Sequence, residues 1–366
     1  MSLITDKMIL KETKILKISP HLSGKDDMEN LAFAAKVLRE GGLVAFPTET
    51  VYGLGANALD ENAVKSIFTA KGRAQDNPLI VHLCSTSDMD KYAYTDCCEK
   101  AKLLFPLMPA PLTVIMPKKD VIPLCVTAGL DNVALRVPQN EIARELIRLS
   151  GVPVAAPSAN LSGKPSPTSA QHVINDMTGR ADVIIDGGSS SVGLESTVVS
   201  LCKDKPILLR PGGFTYEMLC DILGEVDIAD AVLSQLKEGQ VPESPGMKYK
   251  HYAPDTRVVL VKGKKENVRE LLTEIYKDSS NGIICYEEDG NFDASRCITV
   301  GKRSDNRDYA EKMFDALRRV DGLEKVNVVY AVLPENTDGI SLAIYNRMLR
   351  AASFCVVDAD EAKKGE

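Results

Sequence analysis

Residues 41–55 read GGLVAFPTETVYGLG. The run at 43–46 is short, apolar and bounded by a glycine pair and a proline, which is the pattern of a buried strand. The polar, glycine-containing segment at 47–55 follows it as a loop. In open α/β sheets ligands gather at the carboxyl ends of strands, so this loop is a first candidate site. Upstream, Leu31, Ala34, Ala35 and Leu38 form an apolar stripe, predicting a helix capped by Ser23 or Asp26 and closed by Gly41-Gly42. Downstream, Asp60 is a good cap for a helix through Ile67, Phe68 and Ala70, and a strand follows at 79–84. Further strands are expected at 112–116, 133–137, 152–156, 183–185, 197–201 and 207–209. Helices alternate with only some of these, so the expected class is α/β with a mixed sheet.

The character of the chain changes at 237–256, KEGQVPESPGMKYKHYAPDT, which holds three prolines and two glycines and has almost no aliphatic periodicity. It reads as a linker. Beyond it strands at 257–261, 282–286, 297–300 and 326–333 alternate with helices at 267–276, 306–320 and 340–352, the pattern of a small parallel α/β domain. The domain division is therefore 15–236, a linker at 237–256, and 257–355. No internal repeat is present, and only the tail after Asp358 is charge-biased.

Composition narrows the function classes. The chain has 366 residues, 44% hydrophobic and 26% charged, with a net charge of −7. That is enough apolar material for two cores. The acidity is uneven: residues 1–210 hold 23 basic and 23 acidic side chains, and residues 211–366 hold 21 and 28. A protein that coats nucleic acid non-specifically is thereby disfavoured, while a locally cationic pocket is not. No apolar run reaches a membrane-spanning length, and charges at Asp6, Lys7, Lys11 and Glu12 do not suit a signal peptide, so a cytoplasmic protein is expected. Nine cysteines without a C-x-x-C pair, and four histidines, suit incidental thiols in a reducing compartment and no zinc site.

Four segments carry residues too unusual for plain connectors. The loop at 47–55 offers Thr48 and Thr50 hydroxyls, with glycines that would let a small polar ligand approach the backbone. Gly53, Gly55 and Ala58 also fit a loose dinucleotide-binding pattern, but the next strand ends in His82 and Cys84, not in a ribose-binding acid. Lys71-Gly72-Arg73 at a helix end is either a solvated cap or a polyphosphate clamp, with Arg73 as the fork and Lys71 as the point charge. In Ala155-Ala156-Pro157-Ser158-Ala159-Asn160 and the following SGKPSP, Ser166 and Pro167 suit an N-cap and first helical position, where phosphate can also bind. Ser158 lacks the nucleophile-elbow glycines of a serine hydrolase. The fourth segment joins Gly193-Leu194-Glu195-Ser196-Thr197 to Arg210-Pro211-Gly212-Gly213. Arg210 ends one apolar strand and Arg136 lies within another; a buried cation there needs an anionic partner, and a substrate carboxylate is one. No P-loop, H-E-x-x-H or kinase signature occurs, so phosphates would be bound without a P-loop.

Taken together, PTETVYGLG, KGR with DNPLIVH, VALRVP, APSANLSGKPSPT, GLESTVV and LRPGG, in this order, resemble the YrdC-like family, specifically the L-threonylcarbamoyl-AMP synthases. SPGMKYKHYAP and the domain after it resemble the long, two-domain form. The resemblance spans nearly the whole chain from about residue 15. It implies a YrdC-like twisted mixed sheet with flanking helices around a large positive cavity, a Rossmann-like second domain, and a linker lying across the cavity mouth as a lid. It implies a nucleotidyltransferase that makes threonylcarbamoyl-AMP and pyrophosphate from L-threonine, bicarbonate and ATP. The product would pass to a tRNA threonylcarbamoyl transferase complex for N6-threonylcarbamoylation of adenosine, with weak RNA contact possible.

By the same resemblance, Thr50, His82, Arg136, the Ala156 backbone and Ser196 match threonine-binding positions, with Arg136 meeting the carboxylate. Arg73, Asn77, Asn132, Ser158, Asn160, Ser166 and Arg210 match nucleotide positions, and Tyr252 would cover the nucleotide. Lys71, Arg73, Ser158 and Asn160 form the signature tetrad, with Lys71 and Arg73 as the catalytic charges. Mg²⁺ would come with ATP, held mainly by phosphate and water, with no organic cofactor and no protein metal ligands. The chain departs from the family pattern at Met108-Pro109-Ala110-Pro111, where Trp-Pro-Gly-Pro is common, at Asn132, often threonine or serine, and at Ala74, often proline.

Overall fold

The computed structural model describes residues 11–234 and 252–362. Strands β1 (Lys14–Lys17), β2 (Val44–Phe46), β3 (Gly53–Asn57), β4 (Ile80–His82), β5 (Leu112–Pro117), β6 (Asn132–Arg136), β7 (Val154–Ala155), β8 (Val183–Asp186), β9 (Thr197–Ser200), β10 (Ile207–Arg210) and β11 (Asp227–Ile228) form one sheet. Its order is β1-β8-β2-β3-β7-β4-β6-β5-β9-β10-β11. The sheet is mixed, as expected: β4 runs parallel to β6 and β5 parallel to β9, while β3 pairs antiparallel with β2 and β7, and β5 with β6.

Three local readings change. The loop expected at 47–55 is a loop only to Tyr52; from Gly53 the chain is strand. Its glycines make room for side chains. A Cβ at Gly55 would come within 2.7 Å of both Phe46 and Val154, so Gly55 lets the Phe46 ring cross the strand; ligand approach is not its reason. Ser166 is not a helix cap. The helix Ala170–Met177 starts after Ser169, whose hydroxyl accepts from the His172 N–H, and Ser166 bonds elsewhere. At the first helix, Asp27–Arg39, the Asp26 side chain caps nothing. The Asp27 carboxylate instead accepts from the backbone of Ser19 and Gly24.

The second sheet holds β12 (Arg257–Lys262), β13 (Asn281–Cys285), β14 (Cys297–Thr299), β15 (Val328–Val332) and β16 (Val356–Asp358), all parallel in the order β14-β13-β15-β12-β16. Apolar clusters fill each unit, and Val51 and Leu194 of the first pack into the core of the second. Polar contacts also cross. Arg318 reaches Asp176 and the Pro165 carbonyl at 2.7 Å, Arg350 reaches the Ala231 carbonyl at 2.6 Å, and Ala253 N–H donates to Gly163 O at 3.1 Å. Among the described residues no helix is long and apolar enough to cross a membrane.

Candidate active site

The site grows from one row across the sheet. In register, His82 of β4 faces Arg136 of β6, and Arg136 faces Thr113 of β5. Thr113 Oγ1 lies 2.8 Å from Ser196 Oγ, just before β9. Arg210, ending β10, donates from Nε to Ser196 O at 3.0 Å and from Nη2 to Ser196 Oγ at 3.2 Å. Five strands thus bring polar side chains to one place, although each strand is apolar and buried.

Facing this row, the segment at 47–54 is stitched to the segment at 156–160. Leu54 N–H donates to Pro157 O at 2.9 Å and Ala159 N–H to Tyr52 O at 2.8 Å. The Thr48 hydroxyl donates to Val51 O at 2.6 Å, which uses its only proton. Thr50 Oγ1, 2.8 Å from Thr48 Oγ1, must therefore be the donor of that pair. Between these walls lies a cavity that opens to solvent. All five residues matched to threonine line it: Thr50, His82, Arg136, Ala156 and Ser196. So do Arg73, Ser158, Arg210 and Tyr252 of the nucleotide set.

The other predicted residues lie outside the wall. The helix Glu61–Lys71 begins at Asp60, whose carboxylate accepts from the N–H groups of Asn62 and Ala63. It ends at Gly72, left-handed at φ 62°, with the Arg73 N–H closing on Phe68 O at 2.9 Å. This closure puts Arg73 at the cavity and turns Lys71 inward, where it is only 3% exposed; the solvated-cap reading therefore fails for Lys71. Lys71 Nζ donates to Ser158 O, and to Asn160 O at 2.5 Å, with Asn160 Oδ1 at 3.4 Å. Three oxygens match the three donors of an ammonium. Burial, with Arg73 alongside, pulls its pKa well below the ordinary lysine value. Asn160 is tied up too, accepting from Ser158 Oγ and donating to Leu161 O and Lys164 O. Lys71 and Asn160 therefore shape the loop that presents Ser158. Asn77 is buried, its Oδ1 unmet among the described residues, and Asn132 is half-buried at the far end of β6 from Arg136.

Two carboxylates hold roles that were not foreseen, and of the two only Glu195 lines the cavity. Glu49 meets Arg136 at 2.7 Å, both buried, and its second oxygen accepts from the Gln139 and Asn140 N–H groups. The anion that a buried Arg136 requires is thus supplied by the protein, while Arg136 Nε has no hydrogen-bond partner among the described residues. Glu195 accepts from Ser166 Oγ at 2.6 Å and from Arg347 Nε at 3.0 Å. Burial would raise its pKa, but Arg347, Arg210 and the Ser166 hydroxyl outweigh that and hold it below the usual value. Arg210 is pushed down to about 10 by burial, against the pull of Glu195, and so stays cationic at neutral pH.

His82 is the opposite case. Burial, then the nearby Arg136 charge, holds its pKa down at about 3. Nδ1 lies 3.1 Å from Ile80 O, which can only accept, so Nδ1 carries the proton and Nε2 keeps its lone pair. The unfolded chain would protonate this histidine near pH 6.5 and the folded one would not. Its contribution is therefore full above pH 6.5 and is lost as pH falls towards 3, by about 2 kcal/mol between pH 7 and 5. His82→Gln is expected to remove that part of the slope in denaturant titrations; equal slopes for the two proteins would show that His82 is not held neutral.

Of the residues expected to make the lid, Lys248, Lys250 and His251 lie outside the described residues and Tyr252 lies within them. Tyr252 takes φ 64°, which costs a non-glycine residue about 1–2 kcal/mol. Its ring is buried, 5.2 Å from the Phe314 ring, and lines the cavity. Strain of this kind persists where the surroundings over-determine it, commonly at sites.

Comparison with known proteins agrees with this architecture. A family model described as telomere recombination, covering Sua5, YciO and YrdC, matches residues 36–212. One described as the threonylcarbamoyl-AMP synthase C-terminal domain matches 214–353. The threonylcarbamoyl-AMP synthase of Pyrococcus abyssi is 45% identical over 333 residues, 89% of this chain and 95% of that protein. That of Bacillus subtilis is 44% identical over 344 residues, 93% and 97% of the two chains. The crystal structure of P. abyssi Sua5 complexed with L-threonine superposes with a TM-score of 0.86 at 42% identity, covering 94% of this chain and 99% of that one. With both family models in sequence and relatives similar along almost their whole length, the chain belongs to the threonylcarbamoyl-AMP synthase family.

Proposed function

We propose that the chain joins L-threonine, bicarbonate and ATP into L-threonylcarbamoyl-AMP, releasing pyrophosphate and water. The observation that carries this is the convergence in one cavity of every residue matched to threonine with four matched to the nucleotide. Arg136 meets the threonine carboxylate through the side of its guanidinium that Glu49 leaves open. Neutral His82 and the Thr50 and Ser196 hydroxyls surround the rest of the amino acid. The threonine amine attacks the carbon of bicarbonate or carbon dioxide, and a carbamate oxygen then attacks the α-phosphate in line, expelling pyrophosphate. No side-chain nucleophile is needed. Positioning and charge neutralisation carry the reaction, with Arg73 and Arg210 at the phosphates and Tyr252 shielding the nucleotide from water. Mg²⁺ enters as part of the substrate, on phosphate oxygens, since Glu49 and Glu195 are already committed to arginines. The product would be handed to the transferase that modifies adenosine in tRNA.

The test is pyrophosphate release that requires threonine and bicarbonate together. Release with ATP alone at the same rate would overturn the reading. Serine should be used less well than threonine, by about 1 kcal/mol in kcat/KM, for want of the methyl contact. Equal use of threonine and glycine would count against the threonine pocket.

A further inference from the structure

The second domain places a fully buried arginine against the cavity wall. Arg347, 0% exposed on the helix Ser341–Ala351, donates from Nε to Glu195 Oε2 at 3.0 Å and from Nη2 to Glu195 O at 3.2 Å. From Nη1 it donates to Pro211 O and to Asn346 Oδ1. Its partners in the first domain are therefore the residues directly before Ser196 and directly after Arg210. We infer that Arg347 is a positioning residue for the nucleotide side of the site: it fixes the Glu195 and Pro211 backbones and occupies the Glu195 carboxylate, so that Arg210 stays directed at Ser196 and the cavity.

The electrostatics give this a direction. Glu195 is a buried anion near two buried cations, Arg347 and Arg210, and Ser166 holds its other oxygen. A carboxylate in so dry a place does not remain unpaired when one cation is removed. The nearest replacement is Arg210, which would turn from Ser196 towards Glu195 and leave the cavity wall. The second domain then does more than sit beside the first: it neutralises a charge that the first domain carries at its own site. This rests on the reading of the cavity as a nucleotide site.

The experiment is a double-mutant cycle in the full chain, with ATP binding by calorimetry alongside steady-state kinetics. R347M should weaken ATP binding about tenfold or more and raise KM for ATP, with a smaller change in KM for threonine. R347K should recover part of the loss, because it restores the charge without the fork. The double variant with E195Q should bind ATP within about threefold of the wild-type chain, since the unpaired carboxylate is gone. ATP binding unchanged in R347M would overturn the inference, as would loss that E195Q does not relieve, or failure of both R347M and the double variant to fold. If R347M alone fails to fold and E195Q rescues it, the charge coupling stands. Whether the wild-type chain makes product tests the function separately, because the cycle is read on ATP binding.

Discussion

Arg73→Ala is expected to lower threonylcarbamoyl-AMP formation by about 10²–10³-fold and to leave the unfolding midpoint unchanged. Removing one preorganised charge aimed at a developing oxyanion costs roughly 2.7–4 kcal/mol in the transition state. Arg73 lines the cavity, and the helix end it follows is closed by backbone bonds that alanine keeps. Lys71 is expected to behave differently, although both residues belong to one motif. Its ammonium holds two buried carbonyls, and each group left unmet costs about 1–3 kcal/mol. Lys71→Met should therefore lose both turnover and stability, and the turnover loss should follow the release of Ser158 into the cavity. Kinetics paired with denaturant unfolding separates the two. A Lys71→Met protein as stable as wild type yet inactive would put Lys71 directly on the phosphates. An Arg73→Ala protein with near wild-type turnover would return Arg73 to a helix-end residue.

That contrast marks how far the sequence could be read. Strands such as β2 and β5 are legible because all or nearly all of their residues are buried and the runs are bounded by turn residues. The strand β3, GLGAN, is not, because two glycines in five residues read as a turn. The side chains lying against it explain them, the Phe46 ring at both glycines and Val154 at Gly55. Ser166-Pro167 carries a helix-start signature that tertiary structure overrides, since the Ser166 hydroxyl goes to Glu195, 29 residues on. The family motifs lead to the cavity-lining residues, but not to the acids set against the buried arginines. Glu49 and Arg136 stand 87 positions apart, and Glu195 and Arg347 stand 152 apart. No periodicity links such distances. The usable signal was the rule that a buried cation needs an anion. Applied to Arg136 it points to a ligand, although Glu49, two motifs earlier in PTETVYGLG, is also at hand.

The Arg136–Glu49 pair is where the two halves of that rule can be pulled apart. Both side chains are about 5% exposed, and the Glu49 carboxylate is fixed by two backbone N–H groups besides Arg136. Removing only the cation strands a buried anion, so Arg136→Met is expected to cost about 3–5 kcal/mol of stability as well as threonine binding. Replacing both partners removes the stranded charge, so E49Q with R136M should regain most of the stability. Threonine affinity should not return with it. The substrate carboxylate would still lack its guanidinium, a loss on the order of a hundredfold. Calorimetric titration with threonine and denaturant unfolding on the same three proteins reads both quantities. If the double variant binds threonine as the wild-type chain does, Arg136 serves only to hold Glu49, and the threonine carboxylate must be met elsewhere in the cavity. If the double variant stays as unstable as R136M, the cost lay in packing around β6 and not in the orphaned charge.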